Sequence, residues 1–227
     1  MKTRVIAIAP ALALAAIAAA EPAPPPLSVD EVVERVNRAS TALSTWSAGF
    51  VQRRHFVHLD YSETRSGTIR FKRDVGLRID FAEPAPETIV VADDAARQWK
   101  PRIRQFHVFR LGDRRLDADD MPVPLPFASG AWRPAASNDV ALLDGADDKL
   151  VVLQLTPHET GNYQRQVVWL DPATWLPVRL KLVEATDDEV HFGFSEIAVD
   201  GALATSLFEL KPPRDAEVVE HDELPSF

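Results

Sequence analysis

Apolar and polar residues alternate along most of this chain, with the two-residue period of β-strands. In residues 66–72, Gly67, Ile69 and Phe71 share one face, and after a turn the alternation resumes over residues 77–81. The same pattern predicts further strands over residues 46–51, 88–92, 97–100, 105–111, 140–143, 150–156, 164–171, 178–183 and 189–199. About ten strands with short connections and no helices between them predict one antiparallel sheet, strongly curved or closed.

One helix is predicted ahead of the strands. Ser28 and Glu31 have the spacing of a capping box, in which the two side chains satisfy the first free amides of a helix. The apolar residues that follow at helical spacing are Val29, Val32, Val33, Val36, Ala39 and Leu43. This spacing gives the helix one apolar stripe, which has to pack on the rest of the protein.

The segment over residues 121–132, MPVPLPFASGAW, fits neither a helix nor a central strand. Its apolar residues alternate with prolines, which cannot donate to a sheet and favour a stiff, extended backbone. These apolar residues are Met121, Val123, Leu125 and Phe127. Two interpretations remain open: a loop packed on the core, or a movable cover over a cavity.

Arg73 interrupts the apolar face that Ile69 and Phe71 begin. One explanation is that its aliphatic stem packs on the sheet while its charged head reaches water at the edge. The other is that the head is enclosed, and then it needs carbonyl or carboxylate partners, because an unpaired buried charge is costly. The pattern alone does not choose between them.

The two ends of the chain differ from the middle. Residues 1–20 combine two basic residues, a short apolar run and three final alanines, as a cleaved secretory signal peptide does, and a proline-rich spacer follows over residues 21–27. Residues 28–214 are predicted to form one domain and residues 215–227 an acidic, solvated tail. Cleavage implies a periplasmic protein, and removing the two positive charges takes the formal charge from −9 to −11, which disfavours nucleic-acid binding.

Motifs for catalysis or metal binding do not stand out in the sequence. The chain has no cysteine and six scattered histidines. His55 and His58 are three residues apart and would point to opposite faces of a strand. We therefore expect no enzyme activity, no cofactor and no metal site. A hydrolase of cell-envelope material is a third-ranked hypothesis, which paired carboxylates with opposed pKa shifts in a cleft would support.

Several short motifs occur along the chain in a recognisable order. They are Phe50-Val51-Gln52, residues 66–73 with the Lys72-Arg73 pair, Leu77, Arg78 and Phe81 of LRIDF, Pro84, the strand 87–93, Trp99, and the closing segment 192–213 with Phe208, Pro212 and Pro213. On these residues most of the mature chain resembles the periplasmic outer-membrane lipoprotein carrier family, LolA. The resemblance implies a mainly β fold with a few helices. The implied fold is an incomplete antiparallel β-barrel of about ten or eleven strands, with helices or a loop as a lid over its concave apolar face.

The resemblance also implies roles for particular residues. Arg73 would bond to backbone carbonyls of the lid and hold the cavity closed. Acyl chains would bind a wall that includes Phe50, Ile69, Phe71, Leu77, Ile79, Phe81 and Trp99. The possible lid would contain Met121, Val123, Leu125 and Phe127.

Our first hypothesis is a monomeric carrier without catalysis. By resemblance it would collect triacylated lipoproteins from an ATP-driven exporter in the inner membrane and hand them to an acceptor at the outer membrane. The alternative is a lipid- or lipoprotein-binding sensor on the same fold, which signals to a membrane partner. The two differ in their partners, because a carrier has to contact an exporter and an acceptor, whereas a sensor needs one stable complex.

Overall fold

The structure is a computed structural model that describes residues 27–93, 95–110, 125, 132–143, 149–159, 161 and 163–221. Its helix α1 spans Val29–Ala42. Its strands are β1 (Thr45–Phe56), β2 (Tyr61–Lys72), β3 (Gly76–Glu83), β4 (Glu87–Ala92), β5 (Ala95–Lys100), β6 (Gln105–Arg110), β7 (Asn138–Leu143), β8 (Val151–Pro157), β9 (Tyr163–Leu170), β10 (Pro177–Glu184), β11 (Glu189–Val199) and β12 (Glu217–His221). Single 3-10 turns occupy Val57–Leu59, Pro134–Ala136 and Thr205–Phe208.

All twelve strands belong to one sheet, in the order β12-β6-β5-β4-β3-β2-β1-β11-β10-β9-β8-β7. Neighbouring strands are antiparallel, except that β12 runs parallel to β6. The two edge strands β12 and β7 are not paired with each other, so the sheet stays open. The predicted incomplete barrel with a covering helix is therefore confirmed.

The strand β12 corrects the prediction for the end of the chain. Residues 215–227 were expected to be a solvated tail, yet Glu217–His221 pair with β6 over its whole length. An edge strand such as β6 offers a row of free backbone donors and acceptors, and β12 satisfies them. Gln105 and Arg110 of β6 also bind the side chains of Glu217 and Glu220. Residues 222–227 lie outside the described part of the chain.

One face of the sheet, called the inner face here, carries the main core. Backbone register aligns its apolar side chains in rows across the strands, as in Ala48, Ile69, Ile79 and Ile89 on β1 to β4. Helix α1 packs its predicted apolar stripe against this face through Val32 and Val36, which are 0% and 1% exposed. The Ser28 half of the predicted capping box is present, because the Glu31 amide donates to Ser28 Oγ, while the Glu31 carboxylate accepts from Arg35.

A smaller cluster lies on the outer face of β3 and β4. The turn at Thr205–Phe208 packs there, and Phe208 is buried against Val90. Arg78 holds this segment by donating to the Leu207 carbonyl at 2.9 Å and to both oxygens of Asp80 at 2.7 Å. Burial alone would raise the pKa of Asp80, but its hydrogen bonds and the charge of Arg78 outweigh burial and lower the pKa.

We predict that Gly67→Ala destabilises the fold. A Cβ at Gly67 would lie 2.0 Å from the Asp80 carbonyl oxygen and 2.9 Å from the Phe81 Cα, and neither backbone atom can move without disturbing β3. The free energy of unfolding in urea should fall by about 1–3 kcal/mol. Gly193→Ala is the control, since nothing lies within 4 Å of its new methyl group. Equal stability of the two variants would contradict the close approach at Gly67.

A second prediction concerns acid stability. Because folding lowers the pKa of Asp80, its ionised form stabilises the fold above the unfolded-state pKa of about 4, and this contribution is lost as pH falls through the folded-state pKa. Asp80→Asn should therefore be less stable than the wild type at pH 7, and the difference should shrink in acid. Urea titrations from pH 7 to pH 2 measure this difference. A difference that stays constant with pH would contradict the assignment.

Candidate functional site

The inner face is a continuous apolar wall on both halves of the sheet, the half from β1 to β4 and the half from β8 to β11. Six residues predicted to bind acyl chains lie on it, all at most 7% exposed: Phe50, Ile69, Phe71, Leu77, Ile79 and Phe81. The wall continues through a second row of paired residues, Phe192, Leu180, Val168 and Leu153, on β11 to β8. Phe50 joins the halves, because its ring contacts Phe81 edge to face at 5.3 Å and Phe192 at 6.4 Å between centroids.

Trp99 does not belong to this wall, although the sequence placed it there. The register pairs Trp99 with Thr88, whereas Ile89 pairs with its neighbour Gln98. Since adjacent residues of a strand point to opposite faces, Trp99 lies on the outer face and Gln98 on the inner face. A one-residue error in register reverses every side chain of a strand, and β5 contains too few apolar residues to fix the register by pattern.

The inner face is covered by α1 and by two residues from the predicted lid segment. Leu125 and Trp132 are buried in the same cluster as Val32 and Val36 of α1. Trp132 and Asn37 of α1 exchange two hydrogen bonds, from the Trp132 amide to Asn37 Oδ1 at 2.7 Å and from Asn37 Nδ2 to the Trp132 carbonyl at 2.9 Å. The other predicted lid residues, Met121, Val123 and Phe127, lie outside the described residues.

Arg73 meets the carboxyl end of α1. Its Nε donates to the Leu43 carbonyl at 2.8 Å, and its Nη2 donates to the Ser40 carbonyl. The last carbonyls of a helix lack partners within the helix and carry partial negative charge, and α1 has no basic residue of its own in its last turn. The guanidinium from the β2–β3 turn adds a charged donor to both carbonyls, beside the Leu43 amide that already donates to Ser40.

The middle of α1 is held by the other half of the sheet. Arg35 of α1 lies over the ring of Trp175, which is in the turn between β9 and β10, at 4.8 Å from its centroid. Helix α1 therefore bridges the two halves of the open sheet at one end of the strands, called the helix end here. Apart from the packing of its apolar stripe, the contacts that hold it come from single side chains.

The opposite end of the inner face, called the far end here, is polar. We define the polar band by the side chains Gln52, Arg54, Arg65, Glu87, Gln98 and Glu184. Two ion pairs of 2.7 Å organise it, from Arg54 to Glu184 and from Arg65 to Glu87. Gln98 donates to the second oxygen of Glu87 at 2.6 Å. The Arg65 guanidinium also covers the ring of Phe81 at 3.6 Å, where the apolar wall ends.

Burial within the polar band affects the pKa of one of its carboxyl groups, that of Glu184. Burial raises the pKa of Glu184, and the nearby charge of Asp188 also raises it, while the charge and hydrogen bond of Arg54 work in the opposite direction. The net shift of the Glu184 pKa is upward, so this carboxyl group is partly withdrawn from water. Polar groups in such surroundings form strong hydrogen bonds and are costly when left unpaired.

The polar band was not predicted from the sequence, although Gln52 belongs to one of the short motifs named above. The signal was present in the alternation itself. On β1 the inner-face positions run through Trp46, Ala48 and Phe50 and then continue as Gln52 and Arg54. The change from apolar to polar residues at unchanged spacing marks the level at which the wall ends.

Other kinds of site find little support in the described part of the chain. It contains no group of three or more histidine, aspartate or glutamate side chains placed to hold a metal ion. None of its helices is long and apolar enough to cross a membrane.

Comparisons with known proteins agree with this fold. A family model described as "Outer membrane lipoprotein carrier protein LolA" matches residues 41–211. An uncharacterized conserved protein from Thermus thermophilus superimposes with a TM-score of 0.57 at 13% identity, covering 86% of this chain and 100% of that one. MucB superimposes with a TM-score of 0.50 at 18% identity, covering 84% of this chain and 64% of MucB. At these identities the solved structures are similar in fold alone. No curated protein matches the chain.

We predict that Arg73→Met loosens α1 without unfolding the sheet. The variant leaves the Ser40 and Leu43 carbonyls without the charged donor, and a hydrogen bond to a charged group contributes about 1.5–3 kcal/mol. Amide hydrogen exchange in α1 should become roughly 10- to 100-fold faster, while exchange in β1 and β2 stays slow. Arg53→Met, which changes an exposed arginine of β1, is the control. Unchanged exchange in α1 would contradict a holding role for Arg73.

Proposed function

The chain belongs to the LolA family, and we propose that it carries lipoproteins between the inner and outer membranes by enclosing their acyl chains against its inner face. One observation carries this proposal. In the described part of the chain, a continuous apolar wall across both halves of an open sheet is covered by the amphipathic helix α1, with Leu125 and Trp132, and side-chain contacts hold α1 in place. In this proposal the protein binds and releases its cargo without a catalytic step or a cofactor.

The physics of the cargo explains why such a wall is needed. Each buried methylene contributes about 0.8 kcal/mol, so three acyl chains exposed in water would cost some tens of kcal/mol. A carrier has to offer a comparable apolar surface throughout the crossing. The inner face does so with residues from β1 to β4 and from β8 to β11.

Release requires a competitor for the same surface, and α1 is that competitor. When α1 lies on the wall, Val32 and Val36 occupy positions that acyl chains would fill. Returning the helix to the wall recovers part of the burial energy that the departing chains give up, which lowers the net affinity of the site. Arg73 contributes to this balance, because its bonds to Ser40 and Leu43 form only when α1 is in place.

The proposal includes two partners and a compartment. An exporter in the inner membrane would supply the lipoprotein, and an acceptor at the outer membrane would take it. Residues 1–20, the predicted signal peptide, would direct the chain to the periplasm between these membranes. Their structure is outside the described residues, so the compartment rests on the sequence and on family membership.

A release assay tests the carrier function. Spheroplasts that contain a labelled outer-membrane lipoprotein are incubated with the mature protein, and the soluble fraction is examined for a complex of the two. We expect the complex to appear in proportion to added protein. If the folded protein releases nothing, the carrier proposal fails, and a lipid-binding sensor with one stable membrane partner becomes the better explanation.

The same assay tests the role of Arg73 as a latch. Arg73→Leu should still remove lipoprotein from spheroplasts, because the apolar wall is intact. It should pass at least tenfold less cargo to outer-membrane vesicles, because the closed state with α1 on the wall has lost its charged hydrogen bonds. Arg53→Leu serves as the control. Wild-type delivery by Arg73→Leu would contradict the latch and leave the carrier function untouched.

A further inference from the structure

Two polar atoms on β1 face the inner side of the sheet without a partner. Gln52 Oε1 and Arg54 Nε are both buried, and neither forms a hydrogen bond with any residue that the structure describes. They are two residues apart on one strand, so their side chains leave the same face. One is an acceptor and the other is a donor, which makes them a complementary pair of vacant hydrogen-bonding positions.

Their position coincides with the end of the apolar wall. Gln52 lies in register between Phe192 of β11 and Arg65 of β2. Phe192 belongs to the wall, whereas Arg65 belongs to the polar band. A ligand with long apolar chains on the wall would therefore bring its first polar atoms to the level of Gln52 and Arg54.

The band is also the part of the inner face that communicates with solvent. The side chains of Arg54 and Arg65 are 33% and 31% exposed, whereas the wall residues beside them are buried. The helix end, by contrast, is covered by α1 and Trp132. A ligand with its chains toward the helix end would place its polar part at the far end, beside these partly exposed arginines.

From these observations we infer that the polar band binds the ester and amide linkages that join acyl chains to their headgroup. Arg54 Nε donates to a carbonyl oxygen of the linkage, and Gln52 Oε1 accepts a hydrogen bond from an amide or hydroxyl group. This inference rests on the proposed binding of acylated cargo. It adds the orientation of the cargo and the residues that bind its linkages.

Charge in the band favours a neutral linkage over an anionic headgroup. Glu184 already neutralises Arg54, and Glu87 already neutralises Arg65. Glu63, which pairs with Arg54 in the β1–β2 ladder, adds a further negative charge at this end. A phosphate placed here would find no free cation among the band residues and would meet these carboxylates. Neutral carbonyl and amide groups need only the two vacant hydrogen-bonding positions.

The test compares Gln52→Leu with the wild type in binding three fluorescent probes. They are a synthetic triacylated cysteinyl peptide, a diacylglycerol and a long-chain hydrocarbon without polar groups. Gln52→Leu should weaken binding of the acylated peptide about tenfold, the loss expected for one buried hydrogen bond. Hydrocarbon binding should not change. The diacylglycerol should depend on both residues, since its esters accept from Arg54 and its free hydroxyl donates to Gln52, and Arg54→Lys should weaken its binding.

Stability provides a second, independent readout. Because Gln52 Oε1 has no partner in the described structure, Gln52→Leu should leave the urea midpoint of the free protein unchanged or raise it. Gln98→Leu is the matched control from the same band, and it should lower the midpoint, because Gln98 donates to Glu87. A lower midpoint in Gln52→Leu would mean that the side chain serves the fold, and that result would overturn the inference.

The outcomes separate this inference from the proposed function. If the wild type binds the hydrocarbon and the acylated peptide equally well, the linkage site is wrong and the apolar carrier function stands. An equal loss of hydrocarbon binding and acylated-peptide binding in Gln52→Leu also overturns the site. Tighter binding of phosphatidylglycerol, measured as a fourth probe, than of diacylglycerol overturns it as well. If the wild type binds none of the probes, the proposed function fails together with the inference.

Discussion

An open sheet with one apolar face has to cover that face, and the rest of this structure depends on how it does so. A closed barrel would bury its interior by packing side chains from opposite strands. Here β12 and β7 remain unpaired with each other, and α1 has to supply the missing surface. Covering the wall with one helix, rather than with a second sheet, keeps the cover separable from the wall.

That separation is possible because the contacts that hold α1 are concentrated at a few side chains. Arg73 binds the last carbonyls of the helix, Asn37 binds Trp132, and Arg35 lies over Trp175. Each contact is local and can break without disturbing the strand ladders. In the proposed opening of the cover, a charged donor such as Arg73 would make the closed position distinct, since a half-open arrangement would leave the guanidinium without its carbonyl partners. Physical reasoning from the sequence left two explanations for Arg73, and its side chain is half-buried with the carbonyl partners that an enclosed head would need.

The sequence predicted the fold class well because alternation is a strong signal wherever one face is buried and the other is wet. The prediction failed where the alternation of apolar and polar residues is weak. The prediction for β1 ended at Val51, but the strand continues to Phe56, because the inner positions become polar while the backbone stays paired. The strand β12 was missed since an edge position, not an apolar pattern, stabilises it. Trp99 was assigned to the wrong face because β5 contains too few apolar residues for the pattern to fix its register.

The errors in prediction and the candidate site have one origin, namely residues that depart from the apolar pattern that folding alone favours. Folding alone favours inner-face residues that are apolar or fully paired, and the residues of the wall obey that rule. Gln52 and Arg54 depart from it, since each carries a buried polar atom without a partner in the described chain. Such atoms cost stability that a leucine at position 52 would avoid. Positions where local rules are broken without gain to the fold are where function is expected. In the proposed function the wall would supply binding energy for any long hydrocarbon, so selectivity among acylated molecules would have to come from the few polar atoms at its end.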